Sequence, residues 1–177
     1  MTPEQVLKEF EKAGALLKGH FVLSSGLHSD TFLQKALVFQ DAKRTARLCK
    51  ALAAKVKAAV PGRIDAIVSP AVGGIVPGYE MGRAMGLPAM YVERENGQFA
   101  LRRGFHLDKT MRVLVVEDIV TTGLSIRECI DCLRQIAGEE RGCGCGQALR
   151  FAIITQPEEI SDAAKHRLSE IIGKYIE

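Results

Sequence analysis

Two adjacent acids near the middle of the chain precede a turn rich in hydroxyl groups. Glu117 and Asp118 are followed by Ile-Val and then by Thr-Thr-Gly-Leu-Ser. This turn opens a predicted helix, where outward-pointing amides and the helix dipole favour an anion. Hydroxyl donors and a glycine that allows close approach complete a predicted phosphate cradle. Its candidate residues are Thr121, Thr122, Gly123, Leu124 and Ser125.

The two acids themselves must have a different role. Carboxylates repel phosphate, so Glu117 and Asp118 fit hydroxyl groups, such as those of a ribose. The whole stretch therefore predicts a site for a sugar phosphate. The alternative is a capped helix after a buried strand, with two solvated acids. A cap needs only one threonine, however, and it leaves the paired acids unexplained.

Short apolar runs that alternate with helices position these residues. From residue 62 onward this rhythm predicts parallel strands with crossover helices, hence a twisted, mainly parallel α/β sheet flanked by helices. In such sheets the ligand lies at the carboxyl ends of the strands. The predicted strands are Ile64–Ser69, Ala89–Val92, Val113–Val116 and Phe151–Thr155, with helices near 75–86 and 123–137.

A second turn of the same kind follows the first of these strands. It reads Ala71, Val72, Gly73 and Gly74, and the two glycines predict a tight turn with exposed amides, a second anion nest. Read alone, this is only a strand-to-helix turn.

The first sixty residues predict a helix, a hairpin and a second helix. A helix over 3–18 is expected from Pro3 in its first turn and from an apolar face that Gly19 would end. Asp41 is a predicted N-cap for the second helix, which Pro61-Gly62 ends. The apolar positions are Val6, Phe10, Ala13 and Leu17 in the first helix and Leu48, Leu52, Val56 and Val60 in the second; the hairpin strands are Phe21–Leu23 and Thr31–Leu33.

Length predicts a single domain over 1–177. Within this domain we expect a small N-terminal hood over 1–40, a core sheet over 62–155 and a C-terminal helix over 157–177. The 24 basic against 21 acidic residues give a net charge of +3, which suits an anionic small molecule and argues against nucleic acid. No apolar run reaches membrane-spanning length. We expect no signal peptide, because charged residues occupy the N-terminus, and a cytoplasmic protein with reduced thiols.

The cysteines leave two interpretations open. Cys129 and Cys132, with Cys143 and Cys145, have enough thiols for a zinc site. The first two fall inside a predicted helix, however, where thiols three residues apart often simply pack. Structural thiols are therefore the favoured prediction.

The stretch VLVVEDIVTTGLS closely resembles the phosphoribosyl-pyrophosphate (PRPP) signature of the type I phosphoribosyltransferases. The resemblance implies that Glu117 and Asp118 hold the ribose 2′- and 3′-hydroxyls and that the following loop holds the 5′-phosphate. It implies that the turn at 71–74 cradles the pyrophosphate. It also implies Mg²⁺ carried by PRPP, with no direct protein ligand, and a homodimer.

The segment GALLKGHFVLSSGLHSDTFLQ (14–34) resembles the N-terminal region of orotate phosphoribosyltransferases. This implies that the turn at Ser25 and Gly26 lies near the ligand and that Phe32 lies near the base. The implied reaction transfers the 5-phosphoribosyl group of PRPP to orotate, a step of pyrimidine and UMP biosynthesis. The alternative is a surface hairpin that packs Phe21 and Phe32 on the core.

A basic hairpin is predicted at ERENGQFALRRGF (93–105), with Asn96-Gly97 as its tight turn. The resemblance implies a lid that closes over the active site of the neighbouring subunit and stabilises the leaving pyrophosphate. Arg94 is the best match for its cation; Arg102 and Arg103 match less closely. The alternative is an ordinary solvated hairpin.

Beyond about residue 138 the chain departs from this pattern. The resemblance implies an Asp-Arg motif here, whose Arg pairs with the orotate carboxylate, but Gln156-Pro157 stands in its place. Arg150 has no positional argument as its substitute. Ser24 and Val72-Gly73 occupy places where many orotate enzymes carry lysines, so no lysine is carried over. Three alternatives stay open: a phosphoribosyltransferase for another base, a PRPP-sensing regulator without catalysis, and an enzyme that has lost its base site.

Overall fold

The computed structural model describes residues 1–22, 26, 28–120, 123–138 and 150–155. None of the helices within these ranges is both long and apolar enough to cross a membrane. The helices are α1 (Pro3–Lys12), α2 (Lys35–Phe39), α3 (Ala42–Ala59), α4 (Ile75–Met85) and α5 (Leu124–Ala137). The strands are β1 (Leu16–Val22), β2 (His28–Leu33), β3 (Ala66–Pro70), β4 (Ala89–Glu95), β5 (Gln98–Leu101), β6 (Val113–Ile119) and β7 (Arg150–Thr155).

Five strands form the central sheet in the order β5-β4-β3-β6-β7. Strand β3 pairs in parallel with β4 and β6, and β6 pairs in parallel with β7. Only β5 runs antiparallel within this sheet, as the return strand of a hairpin with β4. The prediction of a mainly parallel sheet is confirmed, and β7 adds a strand from residues 150–155 to it. The C-terminal helix predicted over 157–177 lies outside the described residues.

Both faces of the sheet are covered. Alternate residues of β3 point to opposite sides, so that Ala66 and Val68 pack with α5 while Ile67 packs with α3 and α4. Near-continuous apolar strands are expected when helices bury both faces. The short apolar runs in the sequence therefore correspond to strands that are buried on both faces.

Cys129 and Cys132 lie in α5 and belong to this core. Burial raises the pKa of both thiols, and both are free cysteines. No group of three or more metal-ligating side chains occurs in the part of the chain that the structure describes. Cys129 and Cys132 therefore contribute to the packing of the core. Cys143 and Cys145 lie outside the described residues.

The helix predicted over 3–18 is wrong in its second half. Helix α1 ends at Lys12, and β1 begins at Leu16. Between them Gly14 adopts a φ of 64°, which stops the helix and turns the chain. Gly19, the predicted stop, lies within β1. Apolar spacing alone did not separate a helix from the strand that follows it.

The predicted N-terminal hairpin is confirmed as β1 and β2, which pair antiparallel. A short helix that the sequence did not predict, α2, follows β2 directly, with Val38 and Phe39 buried. Asp41 then caps α3 as expected, accepting a hydrogen bond from the Arg44 amide at 3.0 Å. Helix α2 therefore anchors the hairpin to the core.

The sequence predicted that the paired acids follow the strand that ends at Val116. In the structure they lie inside β6. The apolar run ends at Val116, yet β6 continues to Ile119. In the neighbouring strand β7, Ile153 is aligned with Glu117 and Thr155 is aligned with Ile119. Backbone pairing with a neighbouring strand extends β6 through polar residues.

Candidate active site

The carboxyl ends of β3 and β6 meet at one edge of the sheet, because the two strands are adjacent and parallel. The loop after β3 packs directly on the acids of β6. A Cβ atom added at Gly73 would overlap the Oδ2 atom of Asp118. The turn at 71–74 is thus brought against the paired acids, as the sequence implied. The peptide bond between Ala71 and Val72 in this loop is cis.

Both acids are buried. Glu117 is 6% exposed and Asp118 is 2% exposed, which contradicts the alternative of two solvated acids. Ser125 donates a hydrogen bond from its hydroxyl to Oε2 of Glu117 at 3.2 Å. Burial, together with the hydrogen bond and the charge of Asp118, raises the pKa of Glu117 to about 8. Glu117 therefore keeps its proton to a higher pH than an ordinary glutamic acid does.

Asp118 is held at both of its oxygens. Oδ1 accepts a hydrogen bond from the Ile119 amide at 2.7 Å. Oδ2 lies 2.8 Å from the Nζ atom of Lys35, at the start of α2. The sequence analysis did not predict a lysine here. A signal was present, since Lys35 is the single charged residue between 31 and 40, but the fold was needed to show which acid it meets.

The start of α5 retains part of the predicted phosphate cradle. Gly123 is the N-cap, with a φ of 73°, and it has no side chain with which to cap the helix. Leu124 is exposed, as a residue beside an open ligand site can be. The hydroxyl of Ser125, predicted for the same cradle, donates to Glu117 in this ligand-free structure. Thr121 and Thr122 lie outside the described residues.

The loop after β3 forms a narrower nest than predicted. The Ala71 amide donates to the Val92 carbonyl at 2.8 Å, and the Gly74 amide donates to the Pro70 carbonyl at 3.1 Å. These two donors are already used within the protein. An anion at this loop would therefore depend on the amides of Val72 and Gly73.

The basic hairpin is confirmed, but its arginines do not reach the buried acids in this structure. Asn96 and Gly97 form the predicted turn, with φ angles of 51° and 84°. Arg94 contacts the Glu128 carboxylate, donates to the Gly97 carbonyl at 2.6 Å and stacks 4.4 Å above the Phe99 ring centroid. Three further ion pairs hold the hairpin: Arg102 with Glu95 at 3.0 Å and with Glu93 at 3.7 Å, and Arg103 with Glu93 at 2.9 Å.

The predicted base-binding segment keeps an aromatic surface. Phe32 is 38% exposed and stacks on Phe21, with ring centroids 5.5 Å apart. It does not join either buried core cluster, which argues against a ring used only for packing. Gly26 has a φ of 80°, as a tight turn requires. Ser24 and Ser25 lie outside the described residues.

Comparison with known proteins agrees with this geometry. Residues 38–146 match the family described as Phosphoribosyl transferase domain. The fold is similar to that of a solved structure of orotate phosphoribosyltransferase from Aeropyrum pernix, with a TM-score of 0.66. The two sequences are 24% identical, and the match covers 93% of this chain and 98% of that one, so this likeness shows the fold alone.

Two bacterial relatives give the sharper comparison. The orotate phosphoribosyltransferase of Parvibaculum lavamentivorans is 67% identical over 145 residues, which cover 82% of this chain and 75% of that protein. The enzyme of the same name from Maricaulis maris is 66% identical over 135 residues, covering 76% of this chain and 70% of that protein. The chain therefore belongs to the phosphoribosyltransferase family and, within it, to the orotate phosphoribosyltransferases.

Proposed function

We propose that the protein transfers the 5-phosphoribosyl group of PRPP to orotate and releases orotidine 5′-phosphate and pyrophosphate, in pyrimidine synthesis. The observation that carries this proposal is the buried pair Glu117–Asp118, packed against the Gly73 loop at adjacent strand ends. High identity to enzymes named for orotate supports the choice of base.

In this reaction an orotate ring nitrogen supplies the electron pair for the new bond to the sugar. The bond from the same sugar carbon to pyrophosphate oxygen breaks, and the pyrophosphate leaves with its electrons. Positive charge develops on the sugar, as in glycoside chemistry. The protein's task is to position the two reactants, neutralise the leaving group and exclude water. The proton on that ring nitrogen must leave as the new bond forms. The departing pyrophosphate can accept it, so the proposal needs no general base from the protein.

The acid pair suits a ribose diol because its two members differ in protonation. Burial and the neighbouring Asp118 raise the pKa of Glu117 to about 8, which favours its protonated form. A protonated carboxyl can donate to one hydroxyl oxygen, and the Asp118 carboxylate can accept from the other hydroxyl. Burial strengthens both hydrogen bonds. In this proposal the pair fixes the sugar, and the amides at the start of α5 hold its 5′-phosphate.

Mg²⁺ fits this site as an ion that arrives with the substrate. The described residues contain no cluster of three ligating side chains, and Asp118 is already paired with Lys35. Mg²⁺ commonly keeps its waters and binds substrate phosphates with few protein ligands. When bound, it would offset charge on the departing pyrophosphate. The chain's own part is to hold the ribose and the phosphate groups.

The lid and the homodimer are parts of the same proposal. Closure of the β4–β5 hairpin would exchange Glu128 for pyrophosphate as the partner of Arg94. A second copy of the chain would cover the exposed apolar side chains beside the site, of which Val72 is 82% and Tyr79 is 68% exposed. A cytoplasmic location stays a prediction that rests on the free thiols.

The experiment is orotate consumption, followed by ultraviolet absorbance, with PRPP and Mg²⁺ present. We expect turnover in the wild type and its loss in Asp118→Asn. Asp131→Asn, the same change on the partly exposed side of α5, is the matched control and should keep full activity. Absence of wild-type turnover with tight PRPP binding by calorimetry would contradict the proposal, pointing to another base, a sensor or an inactive enzyme.

A further inference from the structure

A lysine from the N-terminal hood reaches into the catalytic strand. Lys35 Nζ lies 2.8 Å from Oδ2 of Asp118, and the exposed fractions of the two side chains are 31% and 3%. A buried carboxylate is costly unless a partner compensates its charge. Within the described ranges, Lys35 is the cation that forms an ion pair with Asp118. The Lys35 side chain itself stays partly exposed, so the ion pair joins a partly exposed lysine to a buried acid.

The remaining contacts of Asp118 leave its carboxylate little freedom. The Ile119 amide holds Oδ1 at 2.7 Å. Gly73 packs against the same carboxylate so closely that no side chain would fit between them. Lys35 therefore sets the direction of Oδ2, the oxygen that the backbone does not hold.

Lys35 is itself well anchored. It is the first residue of α2, whose Val38 and Phe39 are buried in the core. The preceding Gln34 donates its amide to the Ala15 carbonyl at 2.8 Å, which ties the start of α2 to the beginning of the hairpin. The ammonium thus has a fixed base from which to orient the acid.

We propose that Lys35 is a positioning residue for the ribose: it offsets the buried charge of Asp118 and fixes the orientation of this carboxylate, which in the proposed function accepts a sugar hydroxyl. This inference rests on the proposed function, in which the acid pair binds the ribose diol. Lys35 acts through Asp118, so it contributes to recognition of the hydroxyl groups and not to recognition of the phosphate.

The test compares three probes by calorimetry: ribose 5-phosphate and its 2-deoxy and 3-deoxy forms. The wild type should bind ribose 5-phosphate more tightly than at least one deoxy sugar. In Lys35→Gln we expect that preference to fall about tenfold, while affinity for the corresponding deoxy sugar stays within about twofold. Lys35→Arg should restore the preference. Lys18→Gln, which removes a hood lysine that contacts Thr31, is the matched control.

Each outcome decides between clear alternatives. An unchanged preference in Lys35→Gln, with wild-type discrimination intact, would overturn the role of Lys35 alone. Equal weakening of all three sugars would also overturn it, because Lys35 would then act on the phosphate or on general structure. A wild type that binds the three sugars equally would contradict the proposed ribose site itself. If Lys35→Gln unfolds, Lys35→Met, which keeps the apolar stem, gives the same comparison.

Discussion

Gly73 and Asp118 touch across the carboxyl ends of two neighbouring strands. A Cβ at Gly73 would lie well inside contact distance of the Asp118 carboxylate, so only glycine fits there without a shift. Glycine is required at position 73 because the backbone lies close to the Asp118 carboxylate, and not because the backbone has a positive φ. The loop proposed for pyrophosphate and the acid proposed for ribose are therefore parts of one rigid arrangement.

Gly73→Ala should separate these two parts. We expect the added methyl group to displace either the loop or Asp118 and to lower kcat/KM for PRPP about a hundredfold, since displacements near 1 Å can have this effect. Orotate turnover at varied PRPP measures it. Gly19→Ala is the control, because a Cβ there meets only the Phe21 ring at 3.4 Å. Equal kinetics in wild type and Gly73→Ala would show that the contact has no functional role.

Glu117 should make stability depend on pH. Its folded pKa of about 8 lies above the ordinary pKa of a glutamic acid. Its contribution to stability is therefore fully present below that ordinary pKa and is lost as pH rises through 8. We expect the free energy of unfolding of the ligand-free wild type to fall by on the order of 3 kcal/mol between pH 5 and 9. Urea denaturation at several pH values measures this fall.

Glu117→Gln should flatten the same curve. Carboxyls such as Glu9 and Asp65, whose pKa is lowered by hydrogen bonds, titrate below this window and do not mask the effect. A fall of the same size in both proteins would assign the pH dependence to another group.

Arg94 should matter to turnover more than to folding. If the hairpin closes as proposed, Arg94→Gln removes a cation from the leaving pyrophosphate and lowers kcat about tenfold or more. Glu128→Gln, which removes the partner of Arg94, should leave kcat unchanged or raise it. Arg83→Gln breaks the ion pair with Glu80 on α4 and is the control. A normal kcat in Arg94→Gln would remove Arg94 from the lid.

Tyr79 should lie in the interface of the proposed homodimer. Its exposure on α4, beside exposed Val76, leaves an apolar surface that a second copy would bury. We expect sedimentation velocity to give a dimer for the wild type and a monomer for Tyr79→Glu. Lys55→Glu on the exposed part of α3 tests whether a charge change alone has this effect. A wild-type monomer at micromolar concentration would refute the dimer.

The chemistry of the site was largely readable from residue types and order. Two acids before a hydroxyl-rich turn predicted a sugar phosphate site, because carboxylates and amides at a helix start select different groups. Alternating apolar runs and helices predicted the parallel sheet, since a two-sided core imposes that rhythm. The loop at 71–74 was placed near the acids because parallel strands end at one edge.

Several features depended on contacts between distant segments. Helix α1 and β1 share one apolar spacing, and a single left-handed turn at Gly14 separates them. Strand β6 continues through Glu117 and Asp118 because β7 pairs with it there. Local sequence patterns indicate which secondary structure a segment favours. The ends of α1, β1 and β6, in contrast, depend on contacts with other segments of the chain.

Lys35 shows the same division most clearly. The sequence by itself determined that Lys35 is the single charged residue between 31 and 40, and that two acids follow the third predicted strand. Only the tertiary structure decided that these residues meet, 83 positions apart in the chain, at 2.8 Å. The reason is physical: a buried carboxylate requires a partner, but the fold determines which segment supplies it.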